Sequence, residues 1–140
     1  MPRLDKRTAV RGLGEIALRV NDLEAMRAFY QEVIGLPLMS RTAHWAFFKI
    51  GDGYGGHTQV LALFDRSQSP VYCGLNHATS TIDHIAFEID SADLPHEKER
   101  LEALGFQVAT AEHAWVHWRS LYVTDPEGNE VELVCHDTRV

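Results

Sequence analysis

One pattern of strand, helix, glycine and strand is written twice in this chain, 69 or 70 residues apart. The first copy opens on Gly14-Glu15-Ile16-Ala17-Leu18-Arg19-Val20, and the second on Asp83-His84-Ile85-Ala86-Phe87-Glu88-Ile89. Each runs through a helical stretch to a glycine, at Gly35-Leu36 and at Gly105-Phe106. Each closes on a strand, Gln59 to Phe64 in the first copy and Glu130 to Val134 in the second. A register this regular means two copies of one unit, so the working positions of one copy can be compared with those of the other.

With 140 residues, 45% of them hydrophobic, the chain is long enough for one domain with a real core, and residues 1–140 are read as that single domain. The net charge of −7, with no local Lys/Arg cluster to offset it, argues against a nucleic-acid partner. No apolar run reaches membrane-spanning length. Met1 to Arg11 is polar and basic without an apolar centre, so it reads as a flexible lead-in rather than a signal peptide. Cys73 and Cys135 lack metal or CxxC spacing and read as reduced thiols, and a cytoplasmic location is the expectation.

Residues 14–20 alternate, with Ile16, Leu18 and Val20 on one face and Glu15, Ala17 and Arg19 on the other. Asn21 with Glu24 forms a capping-box pattern before the apolar stripe of Leu23, Met26, Phe29, Tyr30, Val33 and Ile34, which Gly35 stops. Strands are predicted over Leu38–Arg41, Trp45–Ile50 and Gln59–Phe64, with a turn across Gly51 to Gly56. The second copy predicts a strand over 82–89, a helix from Ala92 to Leu104 with Pro95 in its first turn, and strands near 106–110, 116–124 and 130–135. Asp125-Pro126-Glu127-Gly128-Asn129 is a turn before the last strand. Each unit is β-α-β-β-β. Module one covers about residues 12–66, a connector about 67–80, and module two about 81–136.

Paired units of this kind, with Ile16 to Leu23, Phe29-Tyr30, Val33 to Leu36, Asp83 to Phe87, Asp125 to Asn129 and Val131 to Leu133, resemble the vicinal oxygen chelate superfamily. That group includes glyoxalase I, bleomycin-resistance proteins and extradiol dioxygenases. The resemblance implies an α+β fold in which two βαβββ modules form a curved mixed sheet around a central cavity. It also implies metal ligands from the first and last strand of each module. Mapped here, those positions are Glu15, Ala62, His84 and Glu132. His84 and Glu132 match; Glu15 stands where a histidine is common, and Ala62 binds nothing. Glu15, His84 and Glu132 thus form the expected ligand set for a divalent ion (Mn, Fe, Mg, Ni, Co or Zn). One nitrogen with two carboxylates favours the harder members of that series. Strand alternation places all three opposite the apolar residues of their strands.

A metal-free alternative stands beside this set: His84 protonated and hydrogen-bonded between Glu15 and Glu132. Arg19 and Glu88, equivalent in the two copies, read as an ion pair between the sheets or as a substrate clamp. The stretch Glu112 to Tyr122 is rich in polar aromatics. If it is extended, period-two counting puts His113, Trp115, His117 and Arg119 on one face, where they are candidates for substrate contact together with Tyr122 and His57. Either His113 or His117 is a candidate proton carrier or fourth ligand. No phosphate loop, Gly-x-Ser-x-Gly elbow or cysteine nucleophile motif is present.

The expected function is that of a glyoxalase-like lyase or isomerase whose metal stabilises a substrate oxyanion. Glu132, Glu15 and His117 are the candidates for moving a proton. A bleomycin-resistance-like binding protein without catalysis is the alternative, and an extradiol-type dioxygenase the second. The partner is a small molecule, with neither nucleic acid nor membrane, and the resemblance implies a homodimer.

Overall fold

The computed structural model describes residues 9–140, so most of the lead-in read at 1–11 lies outside the described residues. Strand β1 (Glu15–Val20) leads into helix α1 (Leu23–Ala28), which continues as a π-helical turn over Phe29–Val33. Strands β2 (Leu38–Arg41), β3 (Trp45–Asp52) and β4 (Thr58–Asp65) complete the first module. The second runs β5 (His84–Glu88), α2 (Leu94–Ala103), β6 (Ala109–His113), β7 (Trp118–Thr124) and β8 (Glu130–His136).

Two mixed four-stranded sheets result, ordered β1-β4-β3-β2 and β5-β8-β7-β6. In each, the first strand pairs in parallel with the last, because the helix carries the chain back across the sheet, and the other pairs are antiparallel. The registers agree between modules. Ala17 lies opposite Ala62 as Ala86 lies opposite Glu132.

Helix α1 starts one residue later than the sequence suggested. Asp22, not Asn21, caps it by accepting from the Ala25 N–H at 3.0 Å. The N–H groups of Asn21 and Asp22 donate instead to the Glu127 carboxylate at 2.8 Å. Glu24, freed from the cap, pairs with Arg27 and Arg41. Both helices stop at glycines with φ of +89° and +94°, Gly35 and Gly105, a backbone region that costs other residues a clash at Cβ.

One apolar core serves both modules. Leu18, Val20, Met26, Phe48, Leu61 and Leu63 come from the first, and Ile85, Phe87, Leu101, Leu121, Val131 and Leu133 from the second. Burying a side chain of this size stabilises the fold by roughly 1.5–3 kcal/mol. The modules are joined at Phe29 and Phe106, whose rings meet edge-on at 5.8 Å, and where Arg100 donates to the Val33 carbonyl at 2.6 Å. Deeper in, the Tyr30 hydroxyl donates to Asp125 Oδ2 at 2.7 Å. Burial, with the Asp125 charge beside it, raises the Tyr30 pKa far above its ordinary value and keeps the hydroxyl a donor. The turn from Asp125 to Asn129 is therefore a clasp: Asp125 receives Tyr30 while Glu127 holds the backbone at Asn21 and Asp22, just before α1.

Candidate metal centre

Because the helices cover one face of each sheet, alternate residues of every strand point the other way. On the first sheet the registers arrange those residues in three rows: Glu15, Val60 and Lys49; Ala17, Ala62 and Phe47; Arg19, Phe64 and Trp45. On the second sheet the corresponding rows are His84, Glu130 and Thr124; Ala86, Glu132 and Tyr122; Glu88, Val134 and Ser120. Strand β6 adds Ala109 beside Tyr122, Ala111 beside Ser120 and His113 beside Trp118.

Three residues of the second sheet and Asp83, which precedes β5, form a connected chain. Asp83 Oδ2 lies 2.7 Å from His84 Nδ1, and His84 Nε2 lies 3.2 Å from Glu132 Oε1. The other Glu132 oxygen, Oε2, accepts from the Ser120 hydroxyl at 2.6 Å. Glu132 is 4% exposed, and without Ser120 and His84 its carboxylate would be costly to bury. Asp83, followed by the charge on Glu132, raises the His84 pKa above its ordinary value, while partial burial opposes them. With a carboxylate at each ring nitrogen, the imidazole donates to both, to Asp83 from Nδ1 and to Glu132 from Nε2. Release of the Nε2 proton would free that lone pair for a metal while Asp83 keeps the Nδ1 proton, the arrangement that a metal-ligating histidine needs. The donor set therefore fits a divalent ion.

Asp83, His84 and Glu130 form a second grouping, whose ligand atoms lie within 4.8 Å of one another, but all three are exposed. An ion there would compete with the Asp83–His84 bond.

Beside the chain, His113 Nε2 lies 3.1 Å from the Tyr122 hydroxyl. Burial raises the Tyr122 pKa, with the negative charge of Glu132 adding to it and Ser120 opposing. Asp83 and Ser120 were not singled out from the sequence. Asp83 had a signal, its adjacency to His84; Ser120 had none until the register set it on the face of Glu132.

The structure does not bring all of the expected residues together within one chain. Glu15 occupies the row of His84, but on the other sheet, and among the described residues no hydrogen bond or ion pair joins it to His84 or Glu132. His84 is held between Asp83 and Glu132 rather than between Glu15 and Glu132. The expected ion pair between the sheets, Arg19 with Glu88, does not form: among the described residues no ion pair joins the two.

The stretch 113–119 is not extended. A 3₁₀ turn spans Ala114–Val116, and His117 takes a left-handed conformation with φ of 58°. The parity shifts there: His113 and Trp118 share the outward face, and Arg119 goes to the other, where it meets Asp137 at 3.4 Å and Glu112 at 3.6 Å. Trp115, 85% exposed, sits in the turn. His117 Nδ1 bonds the Val140 carbonyl. His57 follows the 3₁₀ turn at Tyr54–Gly56 at one end of the first sheet, beside Gly53. The structure therefore gathers His84, Glu132, Tyr122 and His113, and leaves Glu15, His57, Trp115, His117 and Arg119 apart from them.

Paired βαβββ modules with a His/Glu site on the outer face of a sheet define a class. The Glyoxalase/Bleomycin resistance protein/Dioxygenase superfamily matches residues 12–133, and the chain belongs to it. Among its relatives, the glutathione transferase FosA of Serratia marcescens is 27% identical over 124 residues, which is 89% of this chain and 80% of that protein. The metallothiol transferase FosB of Bacillus licheniformis is 26% identical over 123 residues, 87% of this chain and 73% of that protein. The crystal structure of lactoylglutathione lyase from Agrobacterium tumefaciens superposes with a TM-score of 0.67 at 31% identity, covering 91% of this chain and 96% of that one. No helix among the described residues is long and apolar enough to cross a membrane.

Proposed function

We propose that this chain is a metal-dependent enzyme of the glyoxalase type, a lyase or isomerase acting on a small oxygen-bearing molecule. The observation that carries the reading is the chain Asp83–His84–Glu132–Ser120, in which both candidate ligands are oriented from behind. His84 Nε2 and Glu132 Oε1 would hold the ion, and a Lewis acid there stabilises negative charge developing on a substrate oxygen. Two protein ligands are few, and Glu15 is the third. It is exposed on its own sheet and makes no hydrogen bond or ion pair to His84 or Glu132 of its own chain, and on this reading the second copy of a homodimer supplies it. Tyr122 and His113 take the part first given to His117: the hydroxyl stands in register with Glu132, and the imidazole can receive its proton.

A second reading, transfer of a thiol onto the metal-held molecule, is favoured by the two curated relatives, both of which are named for thiol chemistry. Both readings need the ion. Elemental analysis of protein purified without an affinity tag, with Mg²⁺ and Mn²⁺ titrations followed by thermal melting, tests that need. About one ion per His84/Glu132 site, or a saturable rise in Tm, is the expected result. No bound metal and no rise would sink both readings and favour a non-catalytic ligand trap. Screening carbonyl compounds with and without glutathione then separates isomerisation from thiol transfer.

A further inference from the structure

The outward face of the first sheet has no part in the metal centre of its own chain, yet it is not a solvated polar face. Trp45 and Phe47 stack at 5.9 Å, and Phe64 meets Phe47 edge-on at 5.7 Å. Together they cover Ala62, which is fully buried. Two arginines stand at the edge of this aromatic surface. Arg19 is the register neighbour of Phe64 on the same face, and the Arg66 guanidinium lies over the Phe64 ring at 5.2 Å.

Both arginines line one cavity of about 570 Å³ between β1 and the connector, together with Tyr72, Asn76, Thr79 and Glu127. Among the described residues neither guanidinium has a carboxylate within 4.0 Å. The carboxylate of Glu127 already accepts the N–H groups of Asn21 and Asp22. Two unpaired planar cations in a cavity suit an oxyanion, which a guanidinium binds in fork geometry.

We infer that this surface is the substrate's binding half: it takes a small organic acid, its apolar or aromatic body on Trp45, Phe47 and Phe64 and its anionic group between Arg19 and Arg66. The inference rests on the proposed reading of the outer faces as a shared cavity, and it names the substrate class. Arg19 lies four residue steps along β1 from Glu15, about 13 Å of strand. The acid is thus one whose reactive oxygens and anionic group lie at opposite ends of its body. The aromatic surface supplies contact area without directional demands, and the two arginines supply selection for charge.

Metal-free protein is titrated with phenylacetate, phenyl phosphate and the neutral phenylacetamide, with binding read by calorimetry and by tryptophan fluorescence. The two acids are expected to bind at least about tenfold tighter than the amide. An Arg19→Gln/Arg66→Gln double variant, with unchanged circular dichroism and Tm, loses that preference. A Phe47→Ala variant weakens acids and amide alike, and Glu132→Ala keeps the preference whether or not the metal reading survives. Equal binding of acid and amide, no saturable binding up to about 10 mM, a preference intact in the double arginine variant, or one abolished by Glu132→Ala alone would each overturn the inference.

Discussion

The middle row of the first sheet reads Ala17, Ala62, Phe47, and the same row of the second reads Ala86, Glu132, Tyr122. Backbone register is shared, and the chemistry is not. Where the first sheet sets Trp45 the second sets Ser120, and where the first sets Phe64 the second sets Val134. Each difference belongs to a group. Ala62 is fully buried in register with Phe47, among three clustered aromatic rings; Glu132 can be buried because Ser120 and His84 satisfy its oxygens. A repeated fold thus fixes where a site can be, while neighbours on the same face decide whether a carboxylate survives there.

The comparison breaks most completely at Glu132. Glu132→Ala is expected to abolish metal uptake and to lower turnover by more than the 10–100-fold typical of losing a partner behind a ligand, measured by elemental analysis and steady-state kinetics. Asp83→Asn and Ser120→Ala leave the ligands in place and remove their orientation. Each should weaken metal affinity by about 10–100-fold in a competition titration. Full affinity in both variants would mean that the chain Asp83–His84–Glu132–Ser120 does not organise the site.

Placing the acid on the wrong sheet sharpens the contrast. Ala62→Glu puts a carboxylate under Phe47 with no hydroxyl or imidazole in register, and it should destabilise the protein by about 1–3 kcal/mol in urea unfolding. Smallest of all is Glu88→Gln. With no ion pair to Arg19, it should move stability by less than about 0.5 kcal/mol in urea unfolding. A loss of 1 kcal/mol or more would restore the inter-sheet pair that the structure lacks.

The sequence carried most of the fold because the repeat is written in local terms: alternation in Glu15–Val20 and His84–Glu88, glycines at 35 and 105, and the turn at Asp125 to Asn129. The His84 and Glu132 positions were pointed to by the family resemblance, mapped through that same register. What the sequence hid depends on backbone irregularity or on long-range contact. Period-two counting fails at Arg119 because His117 is left-handed, and nothing in its neighbours requires that. The capping-box pattern at Asn21 and Glu24 is overridden by Glu127, a residue 106 positions away. Ser120 and Glu132 meet only across a strand pair, and Glu15 and His84 separate only once the two sheets are seen to be distinct.

The central claim is that the ion sits between His84 and Glu132 of one chain and Glu15 of a second. It is tested most directly by complementation. Chains carrying Glu15→Ala and chains carrying Glu132→Ala are unfolded together, refolded as a mixture and assayed for bound metal. Neither variant alone should hold an ion. Random pairing makes half the dimers mixed, each with one intact site, so the mixture should recover about a quarter of the wild-type metal and activity. No recovery, or full metal binding by the Glu15→Ala variant alone, would contradict the shared centre.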